Sequence, residues 1–167
     1  ASVTVTVVKA PTKVSLGAKT MSLGVKESVK LKPTIAAGTH AGYTWSVKNK
    51  KIATVDKNGK LTGVKTGKTT VTVKTHNGKK ATMTVNVMAA PDSITLSGKS
   101  RKLAISGSIM LMAKLPKKTA SRITWTSSNK SVAKVDADGL VRGVKKGTAK
   151  ITAKTFNGKK AVCTITV

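Results

Sequence analysis

The sequence predicts an all-β chain built from two tandem β-sandwiches, and three observations carry that prediction. The chain repeats itself at an offset of 80 residues, with 30 of 78 aligned positions identical between residues 10–87 and 90–167. Its apolar residues alternate with polar ones at a period of two, the mark of half-buried strands. Tight-turn sequences rich in Asn, Asp and Gly punctuate each repeat at the same places. A period this long exceeds a solenoid unit and suits complete small domains in series.

Taken in order, residues 1–9 carry Ala1-Ser2-Val3-Thr4-Val5-Thr6-Val7, which lies 80 positions before Ala81-Thr82-Met83-Thr84-Val85-Asn86-Val87 with the same alternation. This stretch reads as the last strand of a preceding repeat, so further copies are expected on at least the N-terminal side. Residues 10–87 form the first domain and 92–167 the second, joined by a short linker at 88–91. Pro91 limits that linker, which predicts an elongated, semi-rigid rod.

Within the domains, Thr70–Lys74 and Lys150–Lys154 place aliphatics on one face and Thr or Lys on the other. Met83, Val85 and Val87 share a face, as do Cys163, Ile165 and Val167. Asn77-Gly78 and Asn157-Gly158 separate paired runs and predict hairpins, since both residue types tolerate positive φ. Asp56-Lys57-Asn58-Gly59 and Asp136-Ala137-Asp138-Gly139 predict a second tight turn. No segment holds a helical period with caps, and about seven short strands per repeat suggest a sandwich. A domain of this size buries little more than ~60% of its unfolded-chain surface. Trp45 and Trp125, one per repeat and mid-strand, are therefore read as structural core residues.

Longer motifs add a resemblance. The run Trp125-Thr126-Ser127-Ser128-Asn129, Val132-Ala133-Lys134-Val135-Asp136, Gly139-Leu140-Val141-Arg142-Gly143-Val144 and Gly147-Thr148-Ala149-Lys150-Ile151-Thr152 is similar to the bacterial immunoglobulin-like group 2 family. Trp45-Ser46-Val47-Lys48-Asn49, Ile52-Ala53-Thr54-Val55-Asp56 and Gly59-Lys60-Leu61-Thr62-Gly63-Val64 carry a close variant, and the likeness covers nearly all of residues 10–167. It implies tandem immunoglobulin-like Greek-key β-sandwiches. It also implies a setting outside the cell: bacterial surface or cell-wall proteins, adhesins of the intimin and invasin kind, or phage virions. The family brings no catalytic residues.

Charge is the sequence's other extreme. Thirty-two Lys and Arg against five Asp and Glu give a formal +27. Such a surface attracts polyanions, although lysine also keeps sheet edges unpaired. Lys74, Lys79, Lys80, Lys145, Lys146, Lys154, Lys159 and Lys160 are the candidate polyanion-binding residues, clustered around the hairpins and one loop. The corresponding partner is cell-wall teichoic acid or an acidic host glycan, with avidity from repetition. Sequence-specific nucleic-acid recognition is disfavoured, for lack of a recognition helix and of stacking aromatics.

Catalysis is not expected. The only histidines, His40 and His76, face Ala120 and Phe156 in the other repeat, and the five carboxylates fall mostly in turns. The Asp136–Gly139 turn lacks the acidic ligands of a calcium loop. Cys163 sits on an apolar strand face and reads as a small core hydrophobe. No cofactor or membrane span is expected, and a monomer is. The role predicted first is a structural spacer, the second an adhesive polyanion binder, the third a virion decoration domain.

Overall fold

A computed structural model describes residues 7–167, so most of the expected strand at 1–9 lies outside the described residues. The chain divides into two compact units, Ala1–Met88 and Ala89–Val167. Among the described residues all regular structure is extended, as a sequence rich in Val, Ile and Thr favours.

The first unit contains β1 (Val14–Ser15), β2 (Thr20–Gly24), β3 (Ser28–Lys30), β4 (Thr34–Ile35), β5 (Tyr43–Val47), β6 (Ala53–Val55), β7 (Lys60–Gly63), β8 (Gly67–Thr75) and β9 (Lys80–Met88). The second repeats the series as β10 (Thr95–Leu96), β11 (Ser100–Lys102), β12 (Ser108–Met110), β13 (Ala113–Lys114), β14 (Ile123–Ser127), β15 (Ala133–Val135), β16 (Leu140–Gly143), β17 (Thr148–Thr155) and β18 (Lys160–Thr166). Seven strands of the first unit form a four-stranded sheet, β2-β9-β8-β5, and a three-stranded one, β3-β7-β6; β1 and β4 pair apart from them. The second unit has the same plan, β11-β18-β17-β14 and β12-β16-β15, with β10 beside β13.

Among the named strands, one pairing in each unit departs from the antiparallel expectation. β2 runs parallel to β9, from Thr20 opposite Thr84 to Gly24 opposite Met88, and β11 runs parallel to β18 from Ser100–Thr164 to Lys102–Thr166. A parallel pair needs a long crossover, and here nearly the whole domain lies between its two members. The early strand thereby forms one edge of each four-stranded sheet, beside the last strand of its unit.

The period-two faces meet between the sheets. Leu23, Val71, Met83 and Val85 from one sheet pack against Val29 and Leu61 from the other. Leu111, Val141, Ile151, Cys163 and Ile165 form the corresponding core of the second unit. Each such side chain stabilises the fold by about 1.5–3 kcal/mol when fully buried. Gly63 lets the sheets approach closely, because a Cβ there would lie 2.5 Å from the Gly24 carbonyl oxygen.

The hairpin turns differ from expectation in one detail. Gly78 and Gly158 have φ of 87° and 89°, but Asn77 and Asn157 are not in the positive-φ region. Gly78 N–H donates to Thr75 O at 2.9 Å and Thr75 N–H to Lys79 O at 2.8 Å. This is a three-residue loop with glycine alone in the left-handed position. The Asn side chains instead reach across the domain. Nδ2 of Asn77 donates to Pro11 O at 2.8 Å, and Nδ2 of Asn157 to Pro91 O at 2.7 Å. Each hairpin is thus strapped to the start of its own domain. Of the residues expected as linker, Met88 ends β9, Ala89 bridges to Thr119, and Pro91 is buried and strapped to Asn157.

Candidate functional site

The hairpins bring six of the eight candidate lysines into two groups. Lys74 stands opposite Lys80, and Lys154 opposite Lys160, in cross-strand register. All four are exposed, and Lys79 and Lys159 follow in the turns. Directly opposed like charges destabilise a strand pair, so each pair concentrates positive charge at some cost to its hairpin. Lys145 and Lys146 are not brought to this place. They lie in the loop before β17, at the other end of that strand from Lys154, about 25 Å away along its length.

Two further lysines join the second group. Lys99 and Lys150 line a 610 Å³ surface groove with Lys160, over a floor that includes Ile94, Leu96 and Val162. The equivalent groove of the first repeat, 360 Å³, is lined by Val14, Leu16, Lys19, Lys80 and Thr82. Lys150 shares the outward face with Lys154 by the period-two rule, so its place on that face was readable. Lys99 reaches the groove through the parallel strand pairing, which no local pattern announces.

The tryptophans are half-buried, each packed against its core and lining a surface cleft. In the first repeat Gly59, at φ 77°, gives the indole room: a Cβ there would lie 2.8 Å from Trp45 Cζ2. Gly139 serves Trp125 in the same way. Asp56 Oδ1 holds this turn by accepting from the N–H groups of Asn58 at 2.8 Å and Lys60 at 2.9 Å. Asp136 does the same with Asp138 and Leu140. Both acidic turns are therefore backbone-bonded structures, with their first carboxylate already engaged.

The remaining chemical groups stand apart. His40 and His76 are exposed, and His76 N–H donates to Gly42 O. Cys163 is fully buried, and burial pushes its thiol above the ordinary range, with Arg101 opposing. Among the described residues no three His, Cys, Asp or Glu side chains gather where they would hold a metal ion. No helix among them is long and apolar enough to cross a membrane.

Both sandwiches fit one family: the model for the bacterial Ig-like domain (group 2) matches residues 3–85 and again 91–165. The chain belongs to that family. Two tandem copies of the bacterial Ig-like domain account for nearly all of its length. It is 34% identical over 135 residues to an uncharacterized protein of Clostridium acetobutylicum, covering 77% of this chain and 14% of that protein. It is 28% identical over 140 residues to intimin of Citrobacter freundii, covering 77% and 14%. An Ig-like virion protein of Serratia phage KSP90 is 37% identical over 90 residues, covering 52% and 34%. The chain spans 14% of the length of the first of these relatives.

Proposed function

We propose that these two bacterial Ig-like domains serve as a non-catalytic spacer in a protein displayed outside the bacterial cell. The observation that supports this reading most directly is the spread of charge. In the first repeat Lys68, Lys74 and Lys80 lie exposed on the four-stranded sheet, while Lys30 and Lys60 stand opposite one another on the other sheet. Lysines on both faces keep a module soluble and discourage edge-to-edge association; they do not form a single stripe. The likeness to intimin and to a virion protein agrees with an exposed setting for the parent protein.

A second reading has its own support. The opposed pairs Lys74–Lys80 and Lys154–Lys160 recur at the same place in both repeats, each beside a groove. This arrangement suits a long polyanion such as teichoic acid or an acidic glycan, held by repeated weak contacts. Binding of the chain to teichoic acid, heparin and a neutral glycan across a salt series separates the two. A spacer binds both polyanions weakly and equally and releases them near physiological salt. Selective binding that survives such salt, and falls when all four paired lysines become glutamine, would establish the second reading.

A further inference from the structure

We propose that the cleft around Trp45 and Tyr43 in the first repeat is a binding site for one anionic sugar residue, a carboxylated or sulfated pyranose, and that the second repeat lacks the site. The cleft has a volume of 440 Å³ and is lined by Lys30, Lys32, Pro33, Tyr43, Trp45 and Lys57, with Leu31 and Asn58 completing it. That volume lies within the roughly 300–1,000 Å³ of small-ligand sites, which pair an apolar or aromatic wall with a few placed polar groups.

The two rings belong to one face of β5, at alternate positions, and both are half-buried. Trp45 is held by packing against the core, and both rings present only part of their surfaces. A pyranose ring has a compatible shape, with an apolar C–H face to lie on the aromatic wall and polar groups around its rim. Lys30, Lys32 and Lys57 are all exposed at the edge of the cleft and come from two separate segments. Their ammonium groups suit a carboxylate or sulfate on the sugar rim. Asp56, the nearby acid, has its Oδ1 committed to two backbone N–H groups of the turn. Asn58 adds an amide able to both donate and accept.

The second repeat provides an internal control. Its equivalent cleft has nearly the same volume, 450 Å³, and keeps the indole as Trp125. Every lysine is replaced: Met110, Met112 and Ala137 stand where Lys30, Lys32 and Lys57 stand in the first repeat. Ile123 replaces Tyr43, and Asp138 replaces Asn58. Met110 and Met112 are 49% and 69% exposed. The second cleft is apolar and carries a negative charge, so it has nothing to hold an anion. This site does not involve the hairpin lysines, so its failure leaves the polyanion reading intact, and the reverse also holds.

The test uses the whole chain and the indole N–H signals of Trp45 and Trp125 in nuclear magnetic resonance, which report the two clefts separately. N-acetylneuraminic acid, glucuronic acid and glucose 6-sulfate are titrated, with glucose as the neutral control and a thymidine oligonucleotide as the rival ligand. At least one of the three anionic sugars is expected to shift the Trp45 signal and the amides around Lys30 and Lys32 while leaving Trp125 in place. Replacing Lys32 by Met and Tyr43 by Ile, the residues of the second repeat, should weaken binding by about tenfold or more with the amide spectrum otherwise preserved. No shift with any anionic sugar, equal shifts at both indoles, equal response to glucose, tighter binding of the oligonucleotide, or unchanged affinity in the double variant would each overturn the proposal.

Discussion

The two repeats agree where the backbone is being bent and disagree where the surface faces solvent. The Asn straps, the Asp-anchored turns and the glycines beneath the indoles recur atom for atom. The clefts above those same indoles have opposite chemistry. Inside the sandwiches, differences come in compensating sets. The first core is larger at Leu61 and Met83, where the second has Val141 and Cys163; the second is larger at Ile151 and Ile165, where the first has Val71 and Val85. A subtler exchange involves a hydroxyl. Asn49 N–H donates to Thr69 Oγ1 at 3.0 Å on β8, whereas Asn129 N–H donates to Ser127 Oγ at 3.2 Å on β14. Val47 and Thr69 in one repeat become Ser127 and Ala149 in the other, so the acceptor has moved to a different strand while its partner stays paired. Each fold tolerates a substitution when volume or hydrogen bonding is restored nearby.

The comparison breaks most visibly at the indoles. Trp45→Ala should destabilise the first repeat by about 3–5 kcal/mol, and Trp125→Ala the second by a similar amount. Hydrogen exchange of the amides in the affected repeat measures this, and a loss below about 1 kcal/mol in either would show that its indole is mainly a surface group. Next come the straps. Asn77→Ala and Asn157→Ala should each cost about 1–3 kcal/mol through unpaired Pro carbonyls and altered turns. Urea midpoints should move alike for the two variants, and a strong asymmetry would mean the repeats use their straps differently.

A finer test concerns the relocated hydroxyl. Thr69→Ala should cost about 1 kcal/mol, and adding Val47→Ser, the residue of the second repeat, should recover part of it. Strict additivity in that double-mutant cycle would sink the exchange as a compensation. The smallest effect belongs to Asp56. Its carboxyl is held below the ordinary range chiefly by the Lys60 N–H bond, aided by the Asn58 N–H and by the charges of Lys30 and Lys60, with desolvation opposing. A carboxylate with a depressed folded pKa adds stability that is fully present above the unfolded value of about 3.9 and fades as pH falls through the folded one. Asp56→Asn should therefore flatten the acid limb of the stability–pH curve; an unchanged limb would assign that dependence to other groups.

Much of this was legible in the sequence because it is local. Alternation fixed which residues of β8 and β9 face inward, and Asn-Gly marked the hairpin that sets Lys74 opposite Lys80. The 80-residue offset exposed the tandem units without reference to structure. What stayed hidden depends on distant segments. Nothing in Thr20–Gly24 shows that it runs parallel to β9, and nothing in Asn77 points to Pro11, 66 residues earlier. The cleft combines residues 30–33, 43, 45, 57 and 58, three segments that only the sandwich topology gathers. Strand position alone marks the tryptophans as core. Their second aspect, a ring left partly open to solvent, depends on the glycine turn beneath them.

The parallel pair at the edge of each four-stranded sheet also decides how a domain would respond to tension. A domain stretched from its two ends pulls the early strand one way and the late strand the other, so the bonds between them are loaded in shear and must fail together. The first repeat has five residue pairs in that clamp, Thr20–Gly24 against Thr84–Met88, and the second has three, Ser100–Lys102 against Thr164–Thr166. Under a rising pull the second repeat should give way first, acting as a mechanical fuse that lengthens while its neighbour keeps its shape. Single-molecule stretching in which the first repeat ruptured at the lower force would refute that order.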